Sequence, residues 1–456
     1  MNSVPLTKTA HWLLHEGALA FADAEQRGMR IDVKYCEKMY EVLNRRIERH
    51  TKKLYKSELG KKWGKRYRQR TNIKSPDQLR WLIYTYYKTE PFKWTKNDQP
   101  SIDNEVLQVL NIDGLEHLVQ IRKWMKARDT YILGMLREQT NGILHPFFNL
   151  HTARTFRSSS DRINFHNFPK RDKEMLEVVR RAVIPPKGFS IVDGDYGGIE
   201  VHSASWYNQD PVLLAYNRDP NSDMHYDMAL QIFKLDKLDK SHWHEYLLRY
   251  AAKNGFVFPQ FYGDYYVGCT KNLLKWVEGL TLANGKTVKQ HMKEQGIGTY
   301  KKFENHVKDV EEDFWERRFR VYTAWKEKWK EEYRRRGYFD LLSGFRCGGV
   351  MRDNQIVNYP MQGTAFHCLL RSFIRLNQEM KRLHFKSHLF GQIHDDAVSN
   401  VHPKEARQYK ELIWDISVNE LRKEWPWVIT PMEIELEASE IDSSWAESYK
   451  FEEIFD

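Results

Sequence analysis

Two short acidic stretches carry side chains able to do chemistry. Near the C-terminus, FGQIHDDAVSNV (390–401) sets His394, Asp395 and Asp396 between two apolar runs. The flanks 388–393 and 397–401 predict two short strands around a tight turn. Far upstream, FSIVDGDYGGIEVHS (189–203) reads as a buried strand that ends in acids. Asp193 and Asp195 lie two apart and share a strand face, and Glu200 follows. Each acid taken singly also fits ordinary turn chemistry, because Asp accepts hydrogen bonds from its own backbone. Converged on one site, the acids meet the needs of metal-assisted in-line phosphoryl transfer. That reaction wants hard oxygen ligands, few protein contacts, and positions left for phosphate and water.

The elements that must position these acids fall into three zones of the 456-residue chain. Residues 1–150 are helical in pattern: HWLLHEGALAFADAEQRG, VKYCEKMYEVLNRRIERHTKKLYKSEL and LEHLVQIRKWMKARDTYILGMLREQ show apolar residues at i, i+3 and i+4. A loop over 88–101 ends at Ser101, the expected cap of the helix in IDNEVLQVL. The strand with Asp195 begins after Pro185-Pro186 and Gly188, and residues 216–335 return to helix. Beyond 336 come short strands, helices near 361–383 and 403–423, and a terminal strand, MEIELEAS. A strand, a long helical insertion and further strands make an α+β chain.

Formal net charge is +10, and residues 48–74 hold eleven Lys/Arg against two Glu, with Tyr55, Trp63 and Tyr67 interleaved. Such a run also fits a solvated helix face. A polyanion would relieve its self-repulsion by counterion release, which points to a nucleic-acid partner. No apolar run approaches a membrane span, and the N-terminus lacks a signal-peptide pattern, so no membrane partner is expected. Four scattered cysteines without a CxxC argue against a zinc site or a disulfide framework and for a reducing, cytoplasmic compartment.

Several segments in chain order resemble family A DNA polymerases, the DNA polymerase I type. DYGGIE (195–200) resembles motif A, RYAAKNGFVFPQFYG (249–263) motif B with one residue extra, and HDD (394–396) motif C, usually HDE. GMRIDVKY, TARTFRSSSDRINFHNFPKRD, SDMHYDMA and VNYPMQGTAFH resemble further family segments. The resemblance implies a right-hand fold. The helical thumb would be 1–150 with its basic arm, the antiparallel-sheet palm 151–215 and 336–456, and the helical fingers 216–335 with the motif B helix at about 243–263.

The implied activity is template-directed extension of a primer 3′-hydroxyl with dNTPs, releasing pyrophosphate, in DNA replication. Asp195 and Asp395 would bridge two Mg²⁺ ions, for which Mn²⁺ can substitute, with the backbone carbonyl of Tyr196 completing the second site. Asp396 stands where the family has Glu; one methylene shorter, it ranks below Asp395. Arg249 and Lys253 would grip the triphosphate with His225, and Lys253 would protonate the leaving pyrophosphate. Phe258 would pack on the nucleotide, Tyr262 would stack at the template position, and Glu200 would exclude a ribose 2′-hydroxyl. Arg157, Asn358, Gln362 and His394 would contact primer–template DNA.

The thumb resemblance starts near the first residue. Negligible 3′–5′ exonuclease activity is therefore expected of this chain. Either an exonuclease is a separate polypeptide, or this is a fragment, or none exists, and an exonuclease or processivity subunit is the further partner that this suggests. The divergence from bacterial motifs points to a phage-like enzyme acting in the host cytoplasm. The alternatives are a single-subunit RNA polymerase-like enzyme, a metal-dependent nuclease, and a non-catalytic nucleic-acid clamp.

The extra residue in motif B makes a local prediction. Lys253 and Tyr262 are nine apart, so on a regular helix their faces diverge. A π-bulge or break at 254–258 would absorb one residue, aided by Gly255 and by Pro259, which cannot donate to the Gly255 carbonyl. Phe258, rather than Val257, should then face the nucleotide.

Overall fold

The computed structural model describes residues 3–91, 93–95, 97–170, 172–239 and 241–455. The run SIVDGDY forms strand β1 (Ser190–Tyr196), buried along nearly its whole length. The predicted hairpin forms β2 (His388–Ile393) and β3 (Asp396–Val401), and IELEAS forms β4 (Ile434–Ser439), with β5 (Ser448–Lys450) outside it. The sheet order is β5-β4-β1-β3-β2, with antiparallel neighbours throughout. Strand β1 is therefore central, and both distant acidic stretches meet on it. Gly391 permits the hairpin's packing, because a Cβ there would lie 2.3 Å from the Phe165 ring.

A 30-residue helix, Asp353–Arg382, runs behind the sheet and is buried over most of its length. It starts earlier than the predicted 361, passing through Pro360. The predicted 403–423 helix is Ala406–Trp414, a wider π turn over Asp415–Glu420, and Leu421–Glu424. Tyr196, the last residue of β1, is locked to this layer: its hydroxyl bonds Ser372 Oγ at 2.8 Å and the Ser417 carbonyl at 3.0 Å. The C-terminal end of β1 is thereby fixed from behind.

Three separate cores divide the chain. The largest joins the sheet and the long helix to the first helix, Lys8–Arg27, through Leu13, Phe21 and Ala24. A second lies wholly among helices, from Ala204 and Leu213 to Tyr322, with Val357 and Met361. The third packs Leu54, Leu59, Trp63, Leu79, Ile83 and Leu118 of the segment 54–121. Residues 1–150 are thus not one packing unit, as the zone boundaries implied. The first helix has an apolar face that the sheet layer covers, whereas 54–121 closes on its own apolar residues.

The basic run 48–74 spans the end of helix Val33–Lys56, helix Glu58–Tyr67 and the turn Arg68–Arg70. Trp63 points into the third core, while Arg66 lies over Trp81 and Lys62 over Tyr86. One cap differs from expectation. Asp103, not Ser101, caps the helix Asn104–Val109, accepting from Val106 N at 3.0 Å. Ser101 Oγ instead bonds the Asp103 carboxylate at 3.0 Å, because the helix starts two residues later than a Ser101 cap requires.

Candidate active site

Register brings the acids together. Asp396, the first residue of β3, pairs directly with Asp195 of β1, and Val398 pairs with Asp193. The turn before Asp396 is tight: His394 has φ 53°, and its carbonyl accepts from Gln392 Nε2 at 2.6 Å. The His394 ring lies 5.9 Å from that of His166. Asp195 and Asp396 share one cation. Lys170 Nζ is 3.1 Å from Oδ2 of each. The other oxygen of Asp396, Oδ1, is buried without a hydrogen-bond partner.

The remaining acids differ in environment. Burial, with Glu200 next, pushes the Asp395 carboxyl up to about 7, partly offset by Arg157. Asp396 is raised for the same first reason, burial, with Asp195 and Asp193 adding to it. Asp193, on the same face of β1 as Asp195, accepts from Trp445 Nε1 at 2.7 Å and faces Arg180 at 3.8 Å. Arg180 stacks on Trp445 at 4.0 Å. Asp193 thus has a fixed structural counter-ion, while Asp195, Asp395 and Asp396 gather at the hairpin tip.

The carboxylates suit a hard divalent cation. Two strand-paired acids already hold one positive group between them, and Asp396 keeps a free buried oxygen. Among the described residues, no group of three or more His, Cys, Asp or Glu side chains is placed so that it could hold a metal ion. Magnesium bound through one or two carboxylates plus phosphates needs no such group.

Glu200 starts the helix Ile199–Asn208, which leaves β1 through Gly198 in the left-handed conformation. Its carboxylate accepts from the Tyr262 hydroxyl and lies 3.3 Å from Arg157 Nη1. Tyr262 closes the motif B helix, and Asn358 Nδ2 donates to its carbonyl at 3.2 Å. Arg157 and Gln362 both line an open groove of about 720 Å³ that also holds Arg154 and Arg352.

The motif B helix breaks as predicted. An α-helical stretch, Trp243–Ala252, passes into a π turn over Lys253–Val257, and Phe258 N bonds the Lys253 carbonyl five residues back. Val257 is fully buried, while Phe258 sits 5.2 Å from Lys253 Nζ and 5.7 Å from the His225 ring. The extra residue is absorbed where Pro259 leaves the Gly255 carbonyl without its usual donor.

Arg249 Nε bonds Asp223 at 2.7 Å, and Asp223 also caps the helix Met224–Phe233, whose first turn carries His225. Burial, then Lys253 and Arg249, drives His225 down to about 4, and its Nδ1 is buried without a partner. Lys253 is lowered by burial and by Arg249, and it feels the Asp195 and Glu435 charges. The cationic helix therefore faces the carboxylate cluster.

The structure brings Asp195 and Asp396 onto one sheet end beside Asp395. It links Glu200 to Tyr262 and Arg157, and sets Phe258 near Lys253 and His225. The Tyr196 side chain turns to the long helix, and Gln362 lines the groove with Arg157. Sequence reasoning missed Lys170, Asp223, Arg180 and Trp445. Lys170 stood inside a quoted segment, but no spacing rule ties a lone lysine to acids 25 and 226 residues away. Asp223 had a readable signal as a helix N-cap three residues before Tyr226.

The family model "DNA polymerase family A" matches residues 33–447. The thermostable DNA polymerase I of Thermus filiformis is 26% identical over 437 residues, covering 91% of this chain and 47% of its own length. DNA polymerase I of Bacillus subtilis (strain 168) is 24% identical over 417 residues, covering 90% and 43%. The chain thus spans about half the length of these curated relatives. Among solved structures, the POL domain of Pol1 from M. smegmatis, in complex with DNA primer-template and dNTP, matches with a TM-score of 0.74 at 20% identity. That match covers 95% of this chain and 70% of the other, and it carries the right-hand α+β polymerase fold. This chain belongs to DNA polymerase family A.

Proposed function

We propose that this chain is a template-directed DNA polymerase that extends a primer 3′-hydroxyl with dNTPs and releases pyrophosphate. One observation carries the reading: Asp195, Asp395 and Asp396 gather on one sheet end while Arg249, Lys253 and His225 face them from the motif B helix and its neighbour. Carboxylates alone would also serve a nuclease. The opposed cationic helix instead fits a triphosphate, which brings its own negative charge to the site.

Bound Mg²⁺, or Mn²⁺ in its place, would lower the pKa of the attacking hydroxyl and neutralise charge on the triphosphate. Asp195, Asp395 and the Tyr196 carbonyl would hold the metals. Asp396, ranked below Asp395 for its shorter side chain, shares the Lys170 ammonium with Asp195, which supports a place beside the metals. Arg249, held by Asp223, presents its remaining guanidinium nitrogens to phosphate oxygens. Lys253, whose proton is loosened by burial, would give it to the leaving pyrophosphate.

Phe258 would pack on the nucleotide, and Glu200, fixed between Tyr262 and Arg157, would close the space of a 2′-hydroxyl. Arg157, Asn358, Gln362 and His394 would meet the primer–template through sugars, phosphates and minor-groove acceptors shared by all base pairs. In this reading the helical core of 204–322 is the fingers, the sheet layer is the palm, and 33–138 with the basic run is the thumb.

No described helix is long and apolar enough to cross a membrane. All four cysteines are buried free thiols, which supports a cytoplasmic site of action.

A labelled primer–template incubated with Mg²⁺ and each nucleotide class tests the reading. Template-dependent lengthening with dNTPs supports it. Shortening would point to a nuclease, efficient extension with rNTPs to an RNA polymerase-like enzyme, and an unchanged primer would overturn a polymerase role.

A further inference from the structure

Two cations sit beside the acids of β1 and β3, and they are held very differently. Arg180 is immobilised. Its side chain is 7% exposed, stacks on Trp445 at 4.0 Å, donates to the Pro169 carbonyl at 3.2 Å and faces Asp193 at 3.8 Å. Lys170 is tethered only at its head. Its side chain is 57% exposed, and the two bonds of its ammonium go to Asp195 and Asp396, the acids proposed to serve the metal site. Its backbone follows directly on the carbonyl that Arg180 grips, so the stem starts from a fixed point.

From this asymmetry we infer that Lys170 is a built-in counter-cation of the metal-free site. Its ammonium holds Asp195 and Asp396 until divalent metal displaces it, and it thereby sets metal affinity. This inference rests on the polymerase reading of these acids as the metal site.

The physical need is local. The β1–β3 register fixes the two carboxylates opposite one another, and like charges so placed in a partly desolvated site cannot both ionise without a cation. A lysine suits the role, being a compact charge on a flexible stem that can withdraw to water. An immobile arginine at this position would compete with metal instead of yielding to it. Lys170 acts through the carboxylates and is therefore a positioning residue.

The test is Mn²⁺ binding to the full chain without DNA or nucleotide, followed by electron paramagnetic resonance, alongside thermal unfolding in EDTA. Lys170→Met should bind Mn²⁺ about tenfold more tightly than wild type, within the range of a single coupling between two sites. It should also unfold at lower temperature in EDTA, a deficit that saturating Mn²⁺ removes. Lys170→Arg should keep the metal-free stability and bind Mn²⁺ more weakly than wild type, an ordering that mere loss of packing would not produce. Asp195→Asn serves as the control for site occupancy. If binding depends on Asp195 yet all three Lys170 forms share one affinity, the counter-cation role is overturned while the metal site stands. If wild type binds no Mn²⁺ in an Asp195-dependent way, both fail together.

Discussion

The Tyr262 hydroxyl donates to the Glu200 carboxylate, joining the end of the motif B helix to the start of the helix that leaves β1. Burial, and then the Glu200 charge, holds the Tyr262 phenol well above its ordinary range, so it stays a donor at any working pH. Arg157 lies 3.3 Å from the other Glu200 oxygen. Glu200 is thus a clasp as well as a wall. Glu200→Ala should reduce dNTP-over-rNTP discrimination by about 10- to 100-fold and also slow dNTP use, because Tyr262 loses its partner. Steady-state incorporation of matched dNTP and rNTP pairs measures both. An unchanged ratio would remove Glu200 from the gate.

Removing the paired acids should separate chemistry from binding. Asp195→Ala and Asp395→Ala should each lower primer extension by about 10³-fold or more, with duplex affinity kept within about threefold, since the basic surface is untouched. Rapid-quench extension and fluorescence anisotropy report the two quantities. Near-wild-type turnover in either variant would show that the metal assignment is wrong.

Phe258 and Val257 offer a one-residue test of the helix break. By the family resemblance, Phe258→Tyr puts a hydroxyl at the sugar-facing position and should improve acceptance of dideoxynucleotides. Val257→Tyr forces a ring into a filled core and should cost about 1–3 kcal/mol of stability without that gain. Chain-termination assays and thermal unfolding distinguish the two. A gain confined to the Val257 variant would mean that the break falls elsewhere.

Asp395 makes the metal-free protein pH-sensitive. Its carboxyl is at about 7 in the folded chain, against about 3.9 in an unfolded one. Between those values the folded state binds the extra proton. Stability is therefore fully present below about pH 4 for this group and is lost as pH rises through 7. In EDTA, the unfolding temperature should fall from pH 5 to pH 8, less so in Asp395→Asn. Mg²⁺ should restore the loss at pH 8, where the carboxylate is ionised. A wild-type slope identical to that of the variant would remove Asp395 as its source.

The basic run 48–74 should track phosphates. Replacing Lys61, Lys62, Lys65 and Arg66 by Ser should weaken duplex binding for every sequence and flatten the salt dependence by up to about 0.9 per lost phosphate contact. Affinity measured from low to moderate salt is the readout. An unchanged slope would return the run to a solvated face, and Lys62 and Arg66 to packing on Tyr86 and Trp81.

Local rules are enough for part of this molecule. Strand β1 and the hairpin follow from short apolar runs bounded by turn residues, and the helical zones follow from apolar spacing. The break near Lys253 follows from a count of residues and a proline. Asp195, Glu200, Lys253 and Asp395 were legible because their motifs are contiguous or spaced along one element.

Tertiary structure alone decided the rest. The β1–β3 register set Asp396 against Asp195, and a slip of one residue, silent in composition, would have turned that side chain to the other face. Packing assigned the first helix to the sheet layer and let 54–121 close a core of its own. Lys170 gained its meaning only when two acids, 25 and 226 residues away, came within 3.1 Å of its ammonium. Electrostatic energy depends on distance through space, and separation along the chain does not specify that distance until the chain has folded.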